Sequence, residues 1–260
     1  MKESKKTKIT IVKVGGLSVE DTETRRKLLL NFSKIKGRKV LVHGGGVIAT
    51  TIAKKLDVES QMIEGRRVTS SEMLDVAIMV YAGLVNKKIV TDLQELNVNS
   101  LGLTGSDLNC IRSEKRPVGK VDYGYVGDIK EVNADVLAKL IRMGIVPILA
   151  PLTHDGNGQM LNTNADAITG SVSKALTKHF EVKLIFCFDK KGVLLDPNNE
   201  DSVIPLITES DFKTHVTDGT ITGGMIPKLE NAFHSLYGGV LEVHITNVDS
   251  LLNGGTKVIK

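Results

Sequence analysis

The sequence predicts an α/β protein, a three-layer αβα sandwich with a mainly parallel central sheet. Two observations lead to this fold class. Short β-branched segments alternate with amphipathic segments along much of the chain, and several of the predicted strands run directly into glycine turns. Such alternation is typical of a parallel sheet covered by helices on both faces. The 260 residues, 41% hydrophobic and 25% charged, are enough for one domain with a substantial core.

The first third of the chain carries the clearest alternation. Residues 8–14 are rich in β-branched side chains and stop at Gly15-Gly16, which predicts a strand that enters a tight turn. Apolar residues recur at helical spacing over 20–36, so a helix is predicted there. A second short strand over 39–42 runs into His43-Gly44-Gly45-Gly46, and helical spacing returns after it.

The middle of the chain departs from this order. Residues 60–69 and 110–130 combine glycine, charged residues and short β-type runs, which indicates hairpins beside the sheet. The alternation then resumes, with helices predicted over 135–143, 165–179 and 231–237 and strands over 145–149, 183–188 and 241–246. No repeat, low-complexity linker or domain boundary is visible, so residues 1–260 are expected to form one domain.

Composition argues against two classes of partner. Aromatic residues make up 4% of the chain and Trp is absent, so stacking platforms for single-stranded nucleic acid are not expected. No apolar run approaches the roughly 18 residues of a membrane span, and the first residues lack the apolar segment of a signal peptide. The mild net charge of +4 suits a site for a polyanion such as ATP.

The two cysteines, Cys110 and Cys187, fit neither a disulfide framework nor a metal site. Cys187 lies within an apolar run, where a free thiol usually packs as a small core residue. This cysteine content favours a reducing compartment, and a cytoplasmic location is expected.

The glycine turns are candidate anion sites. Strand ends and helix starts meet at one edge of a parallel sheet, and glycine lets backbone N–H groups approach a phosphate or carboxylate closely. Plain tight turns would explain the same residues. The Gly44-x-Gly46-x-x-Ala49 segment, with Glu64 downstream, also matches a dinucleotide-binding pattern, but it opens the second strand–helix unit rather than the first.

Two other familiar motifs can be set aside. The His43-Gly44-Gly45-Gly46 segment is similar to the oxyanion-hole motif of α/β-hydrolases, but the chain has no Gly-x-Ser-x-Gly nucleophile turn. The Gly-x4-Gly-Lys-Ser/Thr motif of P-loop kinases is also absent.

Three charged residues stand at informative positions. Lys13 closes the first strand two residues before Gly15, and Lys228 follows a glycine turn that opens a helix. Asp166 ends the Asn162-Thr163-Asn164-Ala165-Asp166 segment at a predicted helix start. A solvated strand end and ordinary helix caps are the plain interpretations. Capping alone does not readily account for all the polar residues of that segment.

Taken together, these segments resemble the amino acid kinase family, and within it the branch that acts on N-acylated glutamate. The resemblance covers nearly the whole chain and rests on six motifs in the family's order: Lys13-Val14-Gly15-Gly16, Val42-His43-Gly44-Gly45-Gly46, Gly65-Arg66-Arg67-Val68-Thr69, Val126-Gly127-Asp128, Asn162-Thr163-Asn164-Ala165-Asp166 and Gly224-Met225-Ile226-Pro227-Lys228. It implies an amino acid kinase-like fold, with an acylglutamate-binding lobe over about 1–180 and an ATP-binding lobe over about 181–260.

The resemblance also implies a role for each matched residue. Transfer of the γ-phosphoryl group of ATP to the γ-carboxylate of N-acetyl-L-glutamate would use Lys13 and Lys228 to neutralise charge and Asp166 to orient both ammonium groups. The substrate would be held by Gly44, Gly45, Arg67 and Asn162. The nucleotide and its phosphates would contact Gly15, Gly16, Asp189, Thr222 and Gly223. Mg²⁺ would be held mainly by phosphate oxygens, with no dedicated protein ligand.

The chemistry agrees with this set of residues. A carboxylate is already ionised at pH 7, so the nucleophile needs no general base. Positioning and charge neutralisation can then carry the reaction. Two alternatives stay open: a kinase of the same fold that acts on another acid, and a non-catalytic ligand-binding sensor.

The sequence departs from the family pattern near the expected acyl group. Arg66 stands where the family commonly has Leu, and Gly105-Ser106-Asp107 lacks the usual lysine. The same reaction on N-succinyl-L-glutamate is therefore an alternative, because a second carboxylate would need a cation or donors once buried. The candidate cations are Arg66, Arg112, Arg116 and Lys120. In a strand, Arg66 and Arg67 would point to opposite faces.

Assembly is the last expectation. Arginine-inhibited members of the family carry an extra N-terminal helix that links dimers into a hexamer. Only a short basic segment precedes the first predicted strand here. A homodimer that is insensitive to arginine is therefore expected.

Overall fold

A computed structural model describes residues 6–15, 17–63 and 65–260 of the chain. The strands are β1 (Thr7–Val14), β2 (Arg38–His43), β3 (Met62–Ile63), β4 (Arg66–Arg67), β5 (Ser100–Leu103), β6 (Ile111–Lys115), β7 (Gly127–Val132), β8 (Val146–Leu149), β9 (Leu152–His154), β10 (Met160–Asn162), β11 (Phe180–Phe188), β12 (Leu206–Ile207), β13 (Glu242–Asn247) and β14 (Thr256–Val258).

The α-helices are α1 (Leu17–Glu20), α2 (Thr22–Lys34), α3 (Gly46–Lys55), α4 (Ser71–Ala77), α5 (Asn86–Glu95), α6 (Ala134–Arg142), α7 (Ala165–Leu176), α8 (Glu209–Thr217) and α9 (Met225–Tyr237). A π-helical segment, Ile78–Val85, joins α4 to α5 without a break, and Asp107–Asn109 forms a short 3₁₀ turn.

The main sheet has eight strands in the order β12-β14-β13-β11-β1-β2-β8-β5. Its central strands are parallel, and only β13 and β14 pair in the antiparallel sense. The structure thus confirms the predicted fold class. The sheet runs without interruption through both predicted lobes, and their division near residue 180 stays a prediction.

Alternation along β1 separates two buried cores, one on each face of the sheet. Ile9 and Ile11 belong to the core that includes residues of α6, α7 and α9. Val12 and Val14 belong to the core that includes residues of α2 to α5. Because side chains alternate across a strand, Lys13 falls on the face of Ile9 and Ile11, toward α7 and α9.

A smaller four-stranded sheet, in the order β10-β9-β6-β7, accompanies the main sheet. Its antiparallel β6–β7 pair confirms the hairpin predicted over 110–130, and the β3–β4 pair confirms the hairpin predicted over 60–69. Sequence reasoning missed the addition of β9 and β10, which carries Asn162 into this sheet. None of the helices formed by the described residues combines the length and apolar character that crossing a membrane requires.

Candidate active site

Lys13 lies at the carboxyl end of the central strand β1. It is 8% exposed, and its Nζ lies 2.8 Å from Oδ1 of Asp166. A buried ammonium group needs a compensating charge, since desolvation of an unpaired ion is costly. The ion pair supplies that charge and fixes the lysine at the sheet edge where ligands bind in parallel α/β proteins.

Asp166 lies in the first turn of α7. The Asn164 side chain caps this helix by accepting hydrogen bonds from the N–H groups of Asp166 at 2.7 Å and Ala167 at 3.1 Å. Capping by Asn satisfies donors that the helix start leaves unpaired. The positive end of the helix dipole also favours the carboxylate at this position. Asn164 therefore serves as a cap, which leaves Asp166 to pair with Lys13.

Lys228 joins this pair through the ring of Phe188. The Nζ of Lys228 lies 4.0 Å from the ring centroid, and the Nζ of Lys13 lies 5.1 Å from the same centroid. Burial lowers the pKa of Lys228, and the charge of Lys13 lowers this pKa further, while Asp189 and Asp166 oppose the shift. Two ammonium groups thus converge on one aromatic surface, an arrangement that suits a ligand with several negative charges.

Two of the predicted glycines use their N–H groups within the sheet. Gly15 donates to the carbonyl of Cys187 at 3.3 Å, and Gly44 donates to the carbonyl of Val14 at 3.2 Å. These bonds extend the ladders of the central strands by one residue and bring the two glycine turns side by side. Gly16 lies outside the described residues.

Gly45 immediately precedes α3 and gives this helix no side-chain cap. Its φ is 157°, and a Cβ at this position would lie 3.0 Å from a ring carbon of Tyr81. Glycine is therefore required by both conformation and space. Among the described residues no acceptor is found for the Gly45 N–H. Within the described part of the chain, the start of α3 consequently offers a donor without an acceptor at the positive end of a helix dipole.

Arg67 is buried against the first turn of α3. Its guanidinium donates to the carbonyl of Gly46 at 2.7 Å and to the hydroxyl of Thr50 at 2.8 Å. A second terminal nitrogen donates to the hydroxyl of Ser60. These neutral hydroxyl acceptors hold the guanidinium in place, and a carboxylate would compete well for the same donors because charge-assisted hydrogen bonds are stronger.

Asn162 is linked to Arg67 through one hydroxyl group. The Nδ2 of Asn162 donates to Oγ1 of Thr69 at 3.0 Å, and this hydroxyl donates to the backbone carbonyl of Arg67 at 3.3 Å. The Asn162 N–H also bonds to the carbonyl of Tyr125 at 2.9 Å. The residues predicted to bind the acylglutamate therefore form a connected group beside the turn at Gly44 and Gly45.

The residues predicted for the nucleotide pocket flank the two lysines. Asp189 directly follows Phe188 and is exposed, as are Thr222 and Gly223 before α9. Gly223 has a φ of 55°, which favours glycine, and its carbonyl accepts from the Ile226 N–H at 3.3 Å. This turn lets α9 begin close enough for Lys228, in its first turn, to reach Phe188.

The four basic residues considered for a second substrate carboxylate have different surroundings. Arg112 pairs with Glu131 at 2.9 Å, and Arg116 forms a bidentate pair with Asp128. Arg66 and Lys120 are exposed, and no carboxylate among the described residues pairs with either. Arg66 is exposed while Arg67 is buried, which confirms that they point to opposite faces of β4.

Sequence reasoning missed several residues that complete the site. Tyr81 lies within an apolar run, where nothing distinguishes it from a core aromatic residue. Thr50 and Ser60 are small polar residues of a common kind. Asn86 carries no motif.

Within 6–15, 17–63 and 65–260, His, Cys, Asp and Glu side chains form no cluster of three or more that could hold a metal ion.

Comparison with known proteins agrees with this architecture. The family model described as "Amino acid kinase family" matches residues 8–247, and the chain belongs to this family.

Individual relatives give a finer level of similarity. The chain is 60% identical to the acetylglutamate kinase of Parabacteroides distasonis, over 96% of this chain and 99% of the relative. It is 58% identical to the acetylglutamate kinase of Phocaeicola vulgatus, over 98% of this chain and 99% of the relative. Among solved structures, the Streptococcus mutans protein smu.665 superposes with a TM-score of 0.79 at 29% identity, covering 96% of this chain and 98% of that one.

Proposed function

We propose that this protein transfers the γ-phosphoryl group of ATP to the γ-carboxylate of N-acetyl-L-glutamate, giving an acyl phosphate and ADP, as a step of arginine biosynthesis. The observation that carries the proposal is that Lys228 and Lys13 both lie over the ring of Phe188 while Asp166 pairs with Lys13. This cationic centre adjoins the turn at Gly44, because the Gly44 N–H bonds to the residue that follows Lys13. The choice of substrate rests on the acetylglutamate kinases that are 60% and 58% identical to this chain.

The reaction balances without a general base. A carboxylate oxygen of the substrate forms a bond to the γ-phosphorus while the bond from that phosphorus to the β,γ-bridging oxygen breaks, and ADP leaves. Because the substrate carboxylate is ionised at neutral pH, no proton has to be removed. The histidine nearest to the turn, His43, is fully buried and has both ring nitrogens hydrogen-bonded, so it does not serve as a base.

Charge neutralisation is then the main task of the protein. Lys13 and Lys228 offset the negative charge that develops on the transferring group, and Asp166 keeps Lys13 in place. The Arg67 guanidinium and the Gly45 N–H, for which the described residues offer no acceptor, hold the acylglutamate. Asp189, Thr222 and Gly223 border the nucleotide. Mg²⁺ would be held mainly by the phosphate oxygens of ATP and would supply further charge neutralisation, and the pairing of Asp166 with Lys13 fits a site without a dedicated protein ligand.

A homodimer is proposed for the assembly. Strand β5 lies at an edge of the main sheet, with Leu101 38% exposed, and Met79 and Leu84 are also exposed in the adjoining helical segment. An uncovered sheet edge with apolar neighbours favours association. Light scattering should give a dimer, and added arginine should leave the rate unchanged. A hexamer or inhibition by arginine would contradict this assignment.

The function is tested by ADP release with a panel of acids. N-acylated glutamates should support turnover, whereas L-glutamate, L-aspartate and carbamate should not. Hydroxylamine in the same assay should trap the acyl phosphate as a hydroxamate. ADP release with an unacylated acid would instead indicate another kinase of the family. Binding of acylglutamate without ADP release would indicate a sensor.

A further inference from the structure

A buried polar chain lies beneath the turn at Gly44 and Gly45, and the proposed mechanism does not use it. His43 is the last residue of β2 and is fully buried. Its Nδ1 lies 2.7 Å from the carbonyl oxygen of Gly44, and its Nε2 lies 3.0 Å from Nδ2 of Asn86. The same Nδ2 lies 2.9 Å from the carbonyl of Ile148 in β8. The chain thus joins the turn to α5 and to a neighbouring strand.

The partners determine where the protons lie. A carbonyl oxygen can only accept, so Nδ1 of His43 must carry the proton that it donates to Gly44. Nε2 is then an acceptor and receives one N–H of Asn86, while the other N–H goes to Ile148. Burial lowers the pKa of His43 to about 4, so the imidazole stays neutral at physiological pH. All these hydrogen bonds are therefore satisfied in one tautomer.

The surrounding structure is built around the Asn86 side chain. Asn86 begins α5 directly after the π-helical segment, which sets its direction relative to α4. Its Oδ1 occupies the space above Gly102 of β5, where a Cβ would lie only 1.8 Å away. Lys87 donates to the same Oδ1 at 3.4 Å and to the carbonyl of Gly102 at 3.2 Å. π-Helical insertions are frequent beside functional sites.

The bond to His43 controls the direction of the next peptide group. No cis peptide bond is found in the described residues, and in a trans peptide the C=O and N–H point in opposite directions. When the Gly44 carbonyl points inward to His43, the Gly45 N–H must point away from the buried imidazole. This is the N–H for which the described residues offer no acceptor.

We propose that His43 and Asn86 are positioning residues that hold the Gly44 carbonyl inward and thereby aim the Gly45 N–H at the acylglutamate. This inference rests on the proposed function, because it gives that N–H a substrate to bind. His43 acts on the turn directly, and Asn86 acts through His43 by fixing its tautomer and ring orientation. Neither side chain contacts the reacting atoms.

Two substitutions of His43 separate this role from simple packing. His43→Asn keeps a donor near the position of Nδ1 and loses the contact with Asn86. His43→Gln keeps an amide near the position of Nε2 and loses the donor to Gly44. His43→Asn leaves the larger void and should lower the melting temperature at least as much as His43→Gln does. His43→Gln should nevertheless lose at least tenfold more kcat/KM for acylglutamate than His43→Asn does.

Controls confine the effect to the turn. The affinity for a fluorescent ATP analogue should stay within about threefold of wild type in both variants. Asn86→Leu should lower kcat/KM for acylglutamate at least tenfold. Gln94 lies on the same helix as Asn86 and donates an amide hydrogen bond to the carbonyl of Ser100. Gln94→Leu should leave kcat/KM for acylglutamate unchanged. Activity losses that follow the melting temperatures, or a fully active His43→Gln enzyme, would overturn the proposal.

A spectroscopic measurement tests the same chain without turnover. In ¹⁵N-histidine-labelled wild-type protein, the resonances that disappear in His43→Asn should report the Nδ1–H tautomer at pH 7. An Nε2–H tautomer or a charged ring would contradict the inference even in a catalytically competent enzyme. A wild-type protein that releases no ADP with acylglutamates would instead contradict the proposed function, so the two failures are distinguishable.

Discussion

The Nζ of Lys13 lies 2.8 Å from Oδ1 of Asp166, across 153 residues of sequence. This pair joins the central strand β1 to the start of α7, and Lys13 lies over the same Phe188 ring as Lys228. Asp166 is the carboxylate that pairs directly with Lys13, and Asp189 also acts on Lys228 through its charge. We expect both ammonium groups to offset negative charge on a phosphoryl group in transfer.

Removal of either ammonium group should slow the chemical step. We expect Lys13→Ala and Lys228→Ala to lower kcat about 100- to 1,000-fold, since loss of one charge-stabilising contact costs roughly 3–4 kcal/mol. The KM for acylglutamate should change little, because the lysines act on the transition state. Steady-state kinetics measures both, with Lys213→Ala on the exposed helix α8 as the control. A Lys228→Ala enzyme within about threefold of wild-type kcat would refute the assignment.

The rate should fall at high pH earlier than an ordinary lysine would dictate. Burial and the charge of Lys13 lower the pKa of Lys228, so this ammonium loses its proton below the usual value of about 10.4. A pH profile of kcat, with ADP quantified directly, should show kcat falling as Lys228 loses its proton. In Lys228→Arg the residual activity should persist to higher pH, because a guanidinium does not titrate there. An identical alkaline limb in both enzymes would contradict this origin.

The choice of acyl group is decided by a direct comparison. We expect kcat/KM to favour N-acetyl- over N-succinyl-L-glutamate by at least tenfold, about 1.4 kcal/mol. The reason is that Arg112 and Arg116 already have carboxylate partners. A preference for the succinyl compound would reverse the assignment. In that case Arg66→Ala and Lys120→Ala would show which exposed cation binds the additional carboxylate.

Acid should destabilise the native protein through His43. The pKa of this residue is lowered from 6.5 to about 4, so between these values the unfolded chain binds a proton that the native state does not. Stability then falls as pH falls through this window, by about 3–4 kcal/mol at most. Urea unfolding of wild type and His43→Asn at pH 7 and pH 4.5 should show a smaller difference at the lower pH. A constant difference would exclude His43 as the source.

The sequence predicted those elements whose residues alternate or repeat clearly. Residues 8–14 and 39–42 are predictable as β1 and β2, because each β-type run is clear and is followed by a glycine turn. The helix α8 escaped notice because none of its residues is buried, so it has no apolar stripe. Ile78–Val85 is apolar around most of its circumference and shows no helical period. The periodic pattern over 231–237 marks only the later part of α9, whose first turn begins at Met225 after the glycine turn and accommodates Pro227.

The candidate site was predictable only in part, because several of its contacts depend on which distant segments become neighbours. The roles of Lys13, Lys228 and Asp166 followed from the family resemblance, and they remain predictions for the variants above to test. Nothing local in the sequence indicates that Phe188 lies beneath both lysines. Nor does it indicate that the N–H groups of Gly15 and Gly44 complete strand ladders, because those bonds depend on which strands become neighbours.

The shared ring of Phe188 has a consequence for the enzyme at rest. Two like charges at 4.0 and 5.1 Å from one centroid repel each other, and burial of Lys228 adds to the cost. We expect this electrostatic cost to lower thermal stability and a bound anion to relieve it, as in a trade between activity and stability. Lys228→Met should accordingly melt at a higher temperature than wild type while being almost inactive, and nucleotide should stabilise the wild type more than this variant.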